Sequence, residues 1–270
     1  MAHPPMKKNS LKHEARAVFA IAYRDFSKLL RDRTRMFASL IFPVIFIGAL
    51  GGSLQANWGE QTGYNLLVFI FTGVFGQTMF QSTASGLISL VEDRANDFSQ
   101  ELFIAPVSRY AIIIGKILGE TLVSSFQGIA IIIFGLIIGV PLTFVQFLSL
   151  IPVAIVSAFL GGSFGLIVMS QMGNERSANQ IFPFLLFPQF FLAGVFSPIQ
   201  HLPFILLVLS RIAPMTYAVD FARGIFYLGR PEYSKVVLHS PLFNLGIIGL
   251  FFTTFVVLGT YFFVKNEKNR

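Results

Sequence analysis

The chain has 270 residues, of which 54% are hydrophobic and 12% charged, with a net charge of +7 and no cysteine. Soluble domains carry about a quarter charged residues, so a mean hydropathy of +0.70 excludes a water-soluble globular protein, and the lack of cysteine excludes disulfides and thiolate metal sites. The basic excess sits beside apolar blocks, where it meets anionic lipid headgroups, so no nucleic-acid partner is expected.

Several apolar blocks reach the roughly 18 to 20 residues that cross a bilayer as a helix, and none shows the alternation of a barrel strand. The predicted fold class is an all-α polytopic membrane protein with six transmembrane helices. Residues 1–10 read as a disordered tail. Residues 11–35 read as an N-terminal interfacial amphipathic helix: Leu11, Ala15, Val18, Phe19, Ala22, Phe26, Leu29 and Leu30 form an apolar stripe opposed by Lys12, Arg16, Arg24 and Lys28. Such a helix lies along the membrane surface or packs on a partner. The rest, 36–270, is one transmembrane domain with spans predicted at 36–54, 64–91, 111–139, 143–170, 179–198 and 242–264.

Gln77, Gln81 and Ser85 mark one face of the second span. Polar groups in lipid need a partner helix or a wet path, so this stripe either bonds between helices or lines a substrate pathway. The pairs Gly48–Gly52, Gly115–Gly119, Gly135–Gly139 and Gly161–Gly165 have the spacing that permits close helix packing. In the third span Lys116 and Glu120, at i and i+4, are expected to pair. The fifth span is rich in phenylalanine and holds Pro183 and Pro188; its rings either line an apolar cavity or face lipid and neighbouring helices. Residues 199–241 are too apolar for an exposed loop and too interrupted by Pro203, Arg211 and Pro214 for a crossing, which predicts an outer re-entrant helical hairpin between spans five and six.

Charge sets the orientation, because Lys and Arg are retained in the cytoplasm. Nine precede the first span, three lie between 92 and 116, one is Arg176 and three follow the last span, leaving only Arg211, Arg223, Arg230 and Lys235 opposite. Both termini are predicted to be cytoplasmic, in a multi-pass protein of a bacterial inner membrane.

Enzyme chemistry is poorly supported. Gly161-Gly-Ser163-Phe-Gly165 matches the spacing of a nucleophile elbow, but His3, His13, His201 and His239 all lie outside the spans and supply no base. There is no HExxH motif, phosphate loop or cysteine cluster, so no metal or cofactor is expected on this chain and its energy comes from elsewhere. A non-transporting membrane scaffold and an intramembrane hydrolase remain as alternatives of another class.

The loop after the second span runs VEDRANDFSQELFIAPVSRYAIIIGKILGE. Its acidic and basic residues, Glu101-Leu102, Ala105-Pro106-Val107-Ser108-Arg109 and Gly115-Lys116 resemble the first cytoplasmic loop of ABC type-2 permeases, the membrane subunits of ATP-binding cassette exporters. A second likeness is Leu192-Ala193-Gly194-Val195-Phe196-Ser197-Pro198 followed by Ala213-Pro214-Met215-Thr216-Tyr217 and Arg223. Asp97-Phe98 stands where the family usually has Gly-Thr, and Ala213 where it usually has Asn. The resemblance implies a homodimer or heterodimer of permeases working with two copies of a separate ATPase subunit, which holds ATP and Mg, and membrane lipids as further partners. It implies a coupling loop at 92–110, with Glu92, Asp93, Arg94, Phe98, Glu101, Leu102, Pro106 and Arg109 as ATPase contacts. The outer hairpin, 199–241, would be braced by Pro214, Tyr217, Asp220 and Arg223, with Asp220 and Arg223 pairing at i and i+3. A hydrophobic or amphiphilic substrate, drug-like or lipid, is the expected cargo; a lipid-linked polysaccharide is the alternative.

Overall fold

A computed structural model describes residues 11–95 and 107–268, and no strand occurs among them. Helix α1 spans Leu11–Arg31 and α2 spans Arg33–Ile45; after one π-turn, Phe46–Gly51, the chain continues as α3, Gly52–Thr62. Gly63, left-handed at φ 70°, ends α3, and Asn65 caps α4 (Leu66–Gly86) by accepting from the Val68 N–H. Then come α5 (Ser89–Ala95), α6 (Arg109–Ile137), α7 (Phe144–Met169) and α8 (Glu175–Leu192). The last part is α9 (Phe204–Ile212), α10 (Pro214–Phe226), α11 (Tyr233–Val236) and α12 (Pro241–Lys268).

Helix α4 is the centre of the bundle, buried along most of its length and packed against α6, α7 and α10. Small residues let the backbones approach. A side chain at Gly161 or Gly165 would collide with the Phe80 or Ala84 carbonyl of α4. Ser163 turns its hydroxyl to the Leu160 carbonyl of its own helix, 2.8 Å away. The Gly-x-Ser-x-Gly segment is thus a packing surface. The second close approach joins α1 to α6: a Cβ on Gly115 would lie 3.0 Å from Ile21 Cβ, and one on Gly119 would lie 3.1 Å from the Ala22 carbonyl. By contrast, Gly52 and Gly139 face open space.

Among the described residues, five segments are long and apolar enough to cross a membrane: 36–62, 66–93, 109–137, 144–169 and 233–266. Three agree with expected spans to within two residues, and the first and last are longer than predicted because α3 extends the one and α11 opens the other. The expected crossing 179–198 is not among them. Its helix, α8, starts in the polar turn Glu175-Arg176-Ser177, capped by Asn174, and stops at Leu192, after which the chain turns at Gly194 (φ 68°).

A sixth candidate is the pair α9 and α10, bent by 84°. Proline disfavours helical geometry in the residue before it, and Ala213 is extended at ψ 117° ahead of Pro214, which opens α10. Across the bend, Thr216 Oγ1 donates to the Ser210 carbonyl and Tyr217 Oη to the Arg211 carbonyl, both at 2.7 Å. These bonds satisfy carbonyls that the end of α9 would leave open. Helix α9 exposes Phe204, Ile205 and Ile212, whereas α10 is almost wholly buried.

Candidate functional site

The loop that follows α5 begins in a cluster of four charges, three of them buried and the fourth, Arg24, half-buried. Asp93 comes from α5, Lys116 from α6, and Arg24 and Asp25 from α1. Lys116 Nζ lies 2.6 Å from Asp93 Oδ2 and 3.6 Å from Asp25 Oδ2, and donates to Ser89 Oγ at 3.0 Å. Arg24 Nη2 lies 2.7 Å from Asp25 Oδ1 and 3.0 Å from Asp93 Oδ2. The two positive and two negative charges balance, which burial demands, because an unpaired ion in a low-dielectric interior is costly. Burial opposes the charge on Arg24, but Asp25 and then Asp93 outweigh it and hold the guanidinium above its ordinary pKa.

A second contact closes the other end of the same loop. Ser108 caps α6, its hydroxyl accepting from the Ala111 N–H at 3.2 Å while donating to Glu14 Oε2 at 2.6 Å; its own N–H donates to Glu14 Oε1 at 3.2 Å. Glu14 and Arg24 are both on α1, separated by about 15 Å of helix at 1.5 Å per residue. Helix α1 therefore spans the mouth of the loop and holds both of its ends, and it is seated on α6 through Gly115 and Gly119. The N-terminal helix packs on its own chain along one face and leaves Phe19 and Tyr23 more than 70% exposed on another.

The expected coupling residues divide around this cluster. Glu92 and Asp93 sit on α5, half-buried and buried; Arg94 is on the same helix, and Arg109 opens α6. Phe98, Glu101, Leu102 and Pro106 lie outside the described residues, as does the tail 1–10. Glu14, Asp25 and Ser89 were not singled out from sequence, Arg24 was read only as part of the polar face of the N-terminal helix and Ser108 only as part of a family likeness, and Lys116 was assigned to Glu120, whereas its ammonium goes to Asp93, Asp25 and Ser89. One signal was available: Asp25 interrupts the face of α1 that also carries Val18, Ile21 and Ala22.

At the opposite end of the bundle, Asp220 and Arg223 are both buried and do not pair with each other within 4 Å. Asp220 Oδ1 accepts from the Leu238 N–H at 2.8 Å, and Oδ2 accepts from the His239 N–H at 2.9 Å and Asn244 Nδ2 at 2.8 Å. Arg223 donates to the Gly194 carbonyl at 2.7 Å and the Val195 carbonyl at 3.1 Å, with its guanidinium 3.6 Å above the Phe69 ring. The expected surface pair is replaced by two buried anchors, one tying α10 to the start of α12 and one to the turn after α8. Nearby, burial pushes the Tyr64 and Tyr227 phenols up, against the pull of Arg223.

In the polar stripe, the Gln77 amide donates to Gln81 Oε1, and Ser85 is half-buried. Gln81 and Ser85 border a groove of about 300 Å³ between α2, α4 and α6, whereas Gln77 is turned into the bundle.

Two arrangements thus stand out: a charged clamp around the loop after α5, and a buried, bent helix pair anchored to the bundle. The family model described as ABC-2 type transporter matches residues 16–227, which include the four-charge cluster, the loop after α5 and the bent helix pair. The chain belongs to the ABC-2 type transporter family. Among its relatives, a transport permease named ycf38 from Cyanophora paradoxa is 21% identical over 245 residues, covering 86% of this chain and 80% of the relative. Nodulation protein J of Rhizobium meliloti (strain 1021) is 21% identical over 211 residues, covering 77% and 76% respectively. As an ABC-2 type transporter, the chain is a multi-pass membrane permease, a transport subunit rather than a catalytic one, and its family implies an ATP-binding cassette partner subunit.

Proposed function

We propose that this permease is an exporter subunit that moves a hydrophobic or amphiphilic compound outward, driven by ATP hydrolysed on two copies of the partner, where ATP and Mg are held. Two permease chains, alike or different, form the pathway. Residues 92–110 are the coupling element, which docks on the ATPase and converts its closure into helix movement. The observation that carries this reading is the clamp: α1 fixes both ends of the loop through Arg24–Asp93 and Glu14–Ser108, so force on the loop reaches α6 and α1 together.

Both termini are cytoplasmic in a bacterial inner membrane, with α8 crossing as the fifth span and α9 with α10 re-entering from outside. Sixteen of the twenty lysines and arginines then lie on the cytoplasmic side. Were α9 and α10 a full crossing in addition, Lys265, Lys268 and Arg270 would be stranded outside. Charge reversal at two loop residues together, Arg94→Glu with Glu101→Lys, is expected to abolish ATP-driven transport in reconstituted vesicles while leaving membrane insertion intact. Undiminished transport by that variant would remove the coupling role.

A further inference from the structure

The groove beside Gln81 has a chemistry of its own. Its walls are α2, α4 and α6, parts of three segments long enough to cross the membrane, where lipid offers no hydrogen-bond partner. Polar groups nevertheless converge on it. Gln81 gives its carbonyl to Gln77, which leaves its own NH₂ group available to donate. Thr78 is 6% exposed and its Oγ1 has no hydrogen-bond partner. Ser82, Ser85 and Gln127 also border the groove. On the facing wall Pro43 lies within α2, and because proline has no N–H, the Ser39 carbonyl one turn earlier loses its helical donor.

No Asp, Glu, Lys, Arg or His lines this groove, and the charges of Arg24, Asp25, Asp93 and Lys116 balance one another. A charged ligand group would be stripped of water here without a counter-ion. An uncharged group with both donors and acceptors would satisfy what the walls present. At about 300 Å³ the space is at the lower end for a small-molecule site. The mouth continues into an aromatic track: Phe42 is 5.6 Å from Phe190 and 4.1 Å from Phe46, which stacks on Phe196 at 4.8 Å. That track offers an apolar surface to a tail.

We infer that the groove between α2, α4 and α6 binds the uncharged, hydrogen-bonding head of an amphiphile, with its tail along the Phe42–Phe46–Phe196 track. The inference rests on the exporter reading insofar as this amphiphile is cargo. The groove then favours neutral heads over anionic and cationic ones.

Because the chain has no cysteine, Ser82→Cys supplies a single thiol with little change in shape. Its maleimide labelling rate in lipid nanodiscs is to be measured with 1-dodecanoylglycerol, dodecyl phosphate and dodecyltrimethylammonium as probes. A probe present at ten times its dissociation constant should slow labelling about tenfold. That slowing is expected for the glycerol ester alone, and it should vanish when Gln81→Leu is added. A control thiol at Ile205 should be insensitive to all three probes. No labelling of Ser82→Cys, equal protection by all probes, stronger protection by a charged probe, or protection that survives Gln81→Leu would each overturn the inference. The assay contains no ATPase, so failure to stimulate an ATPase would sink the exporter reading without touching this result, and the converse also holds.

Discussion

Lys116 shows how one residue makes the rest of its surroundings necessary. It sits almost fully buried against Asp93 and Asp25, and removing one member of a buried ionic group typically costs about 3–5 kcal/mol because a charge is left uncompensated. Lys116→Met is therefore expected to lower the thermal unfolding midpoint of the purified protein sharply. Adding Asp93→Asn should recover part of the loss, since Arg24 and Asp25, 2.7 Å apart, then remain as a balanced pair. An unchanged midpoint in Lys116→Met would mean that the cluster carries no stability. Asp220 permits a similar argument with a different count. Both of its oxygens accept, from three donors in all, whereas an asparagine keeps one acceptor and turns an NH₂ group toward the remaining donors. Asp220→Asn should cost about 1.5–3 kcal/mol, the usual range for hydrogen bonds to a charged group, again read as a lower midpoint.

At the scale of elements, the close approaches decide which helices move together. Gly119→Val would press on the Ala22 carbonyl and the Asp25 side chain, lifting α1 and separating Asp25 from Lys116. The expected outcome is a chain that inserts and still binds its ATPase but transports poorly, while Gly52→Val, at a glycine facing open space, transports normally. Equal transport by the two variants would show that seating α1 on α6 is irrelevant to coupling. Much of this element plan was legible in the sequence. The apolar blocks marked 66–93, 109–137 and 144–169 to within a few residues, and two of the four Gly-x-x-x-Gly pairs proved to be close contacts. The end of the fifth helix was placed too late because apolar residues continue through Val195 and Phe196 while the backbone already reverses at Gly194, which hydropathy does not register. The 84° bend was foreshadowed by Pro214, although the capping of α9 by Thr216 and Tyr217 depends on folding back across that bend.

For the whole molecule, the sequence pointed to the loop after the second span and to Asp93, but not to the helix that holds it. Arg24 and Glu14 look like ordinary charges on an amphipathic helix until α1 is laid along α6, and Asp220 and Arg223 look like an i, i+3 pair until α12 and the turn at Gly194 are brought to either side. Such assignments depend on contacts between residues 18 to 154 positions apart, which no local pattern encodes. The resulting design places a charged clamp at one end of the bundle and a pair of buried anchors at the other, with α4 running between them. Its central claim is that the clamped loop transmits the work of a separate ATPase. The most direct measurement is ATP hydrolysis by a cassette ATPase coexpressed with this chain and reconstituted in lipid, with and without the permease. The two are expected to copurify and the intact chain to stimulate hydrolysis, whereas Lys116→Met and Gly119→Val copurify without stimulating it. Full stimulation by both variants, or no association with the ATPase at all, would contradict that claim.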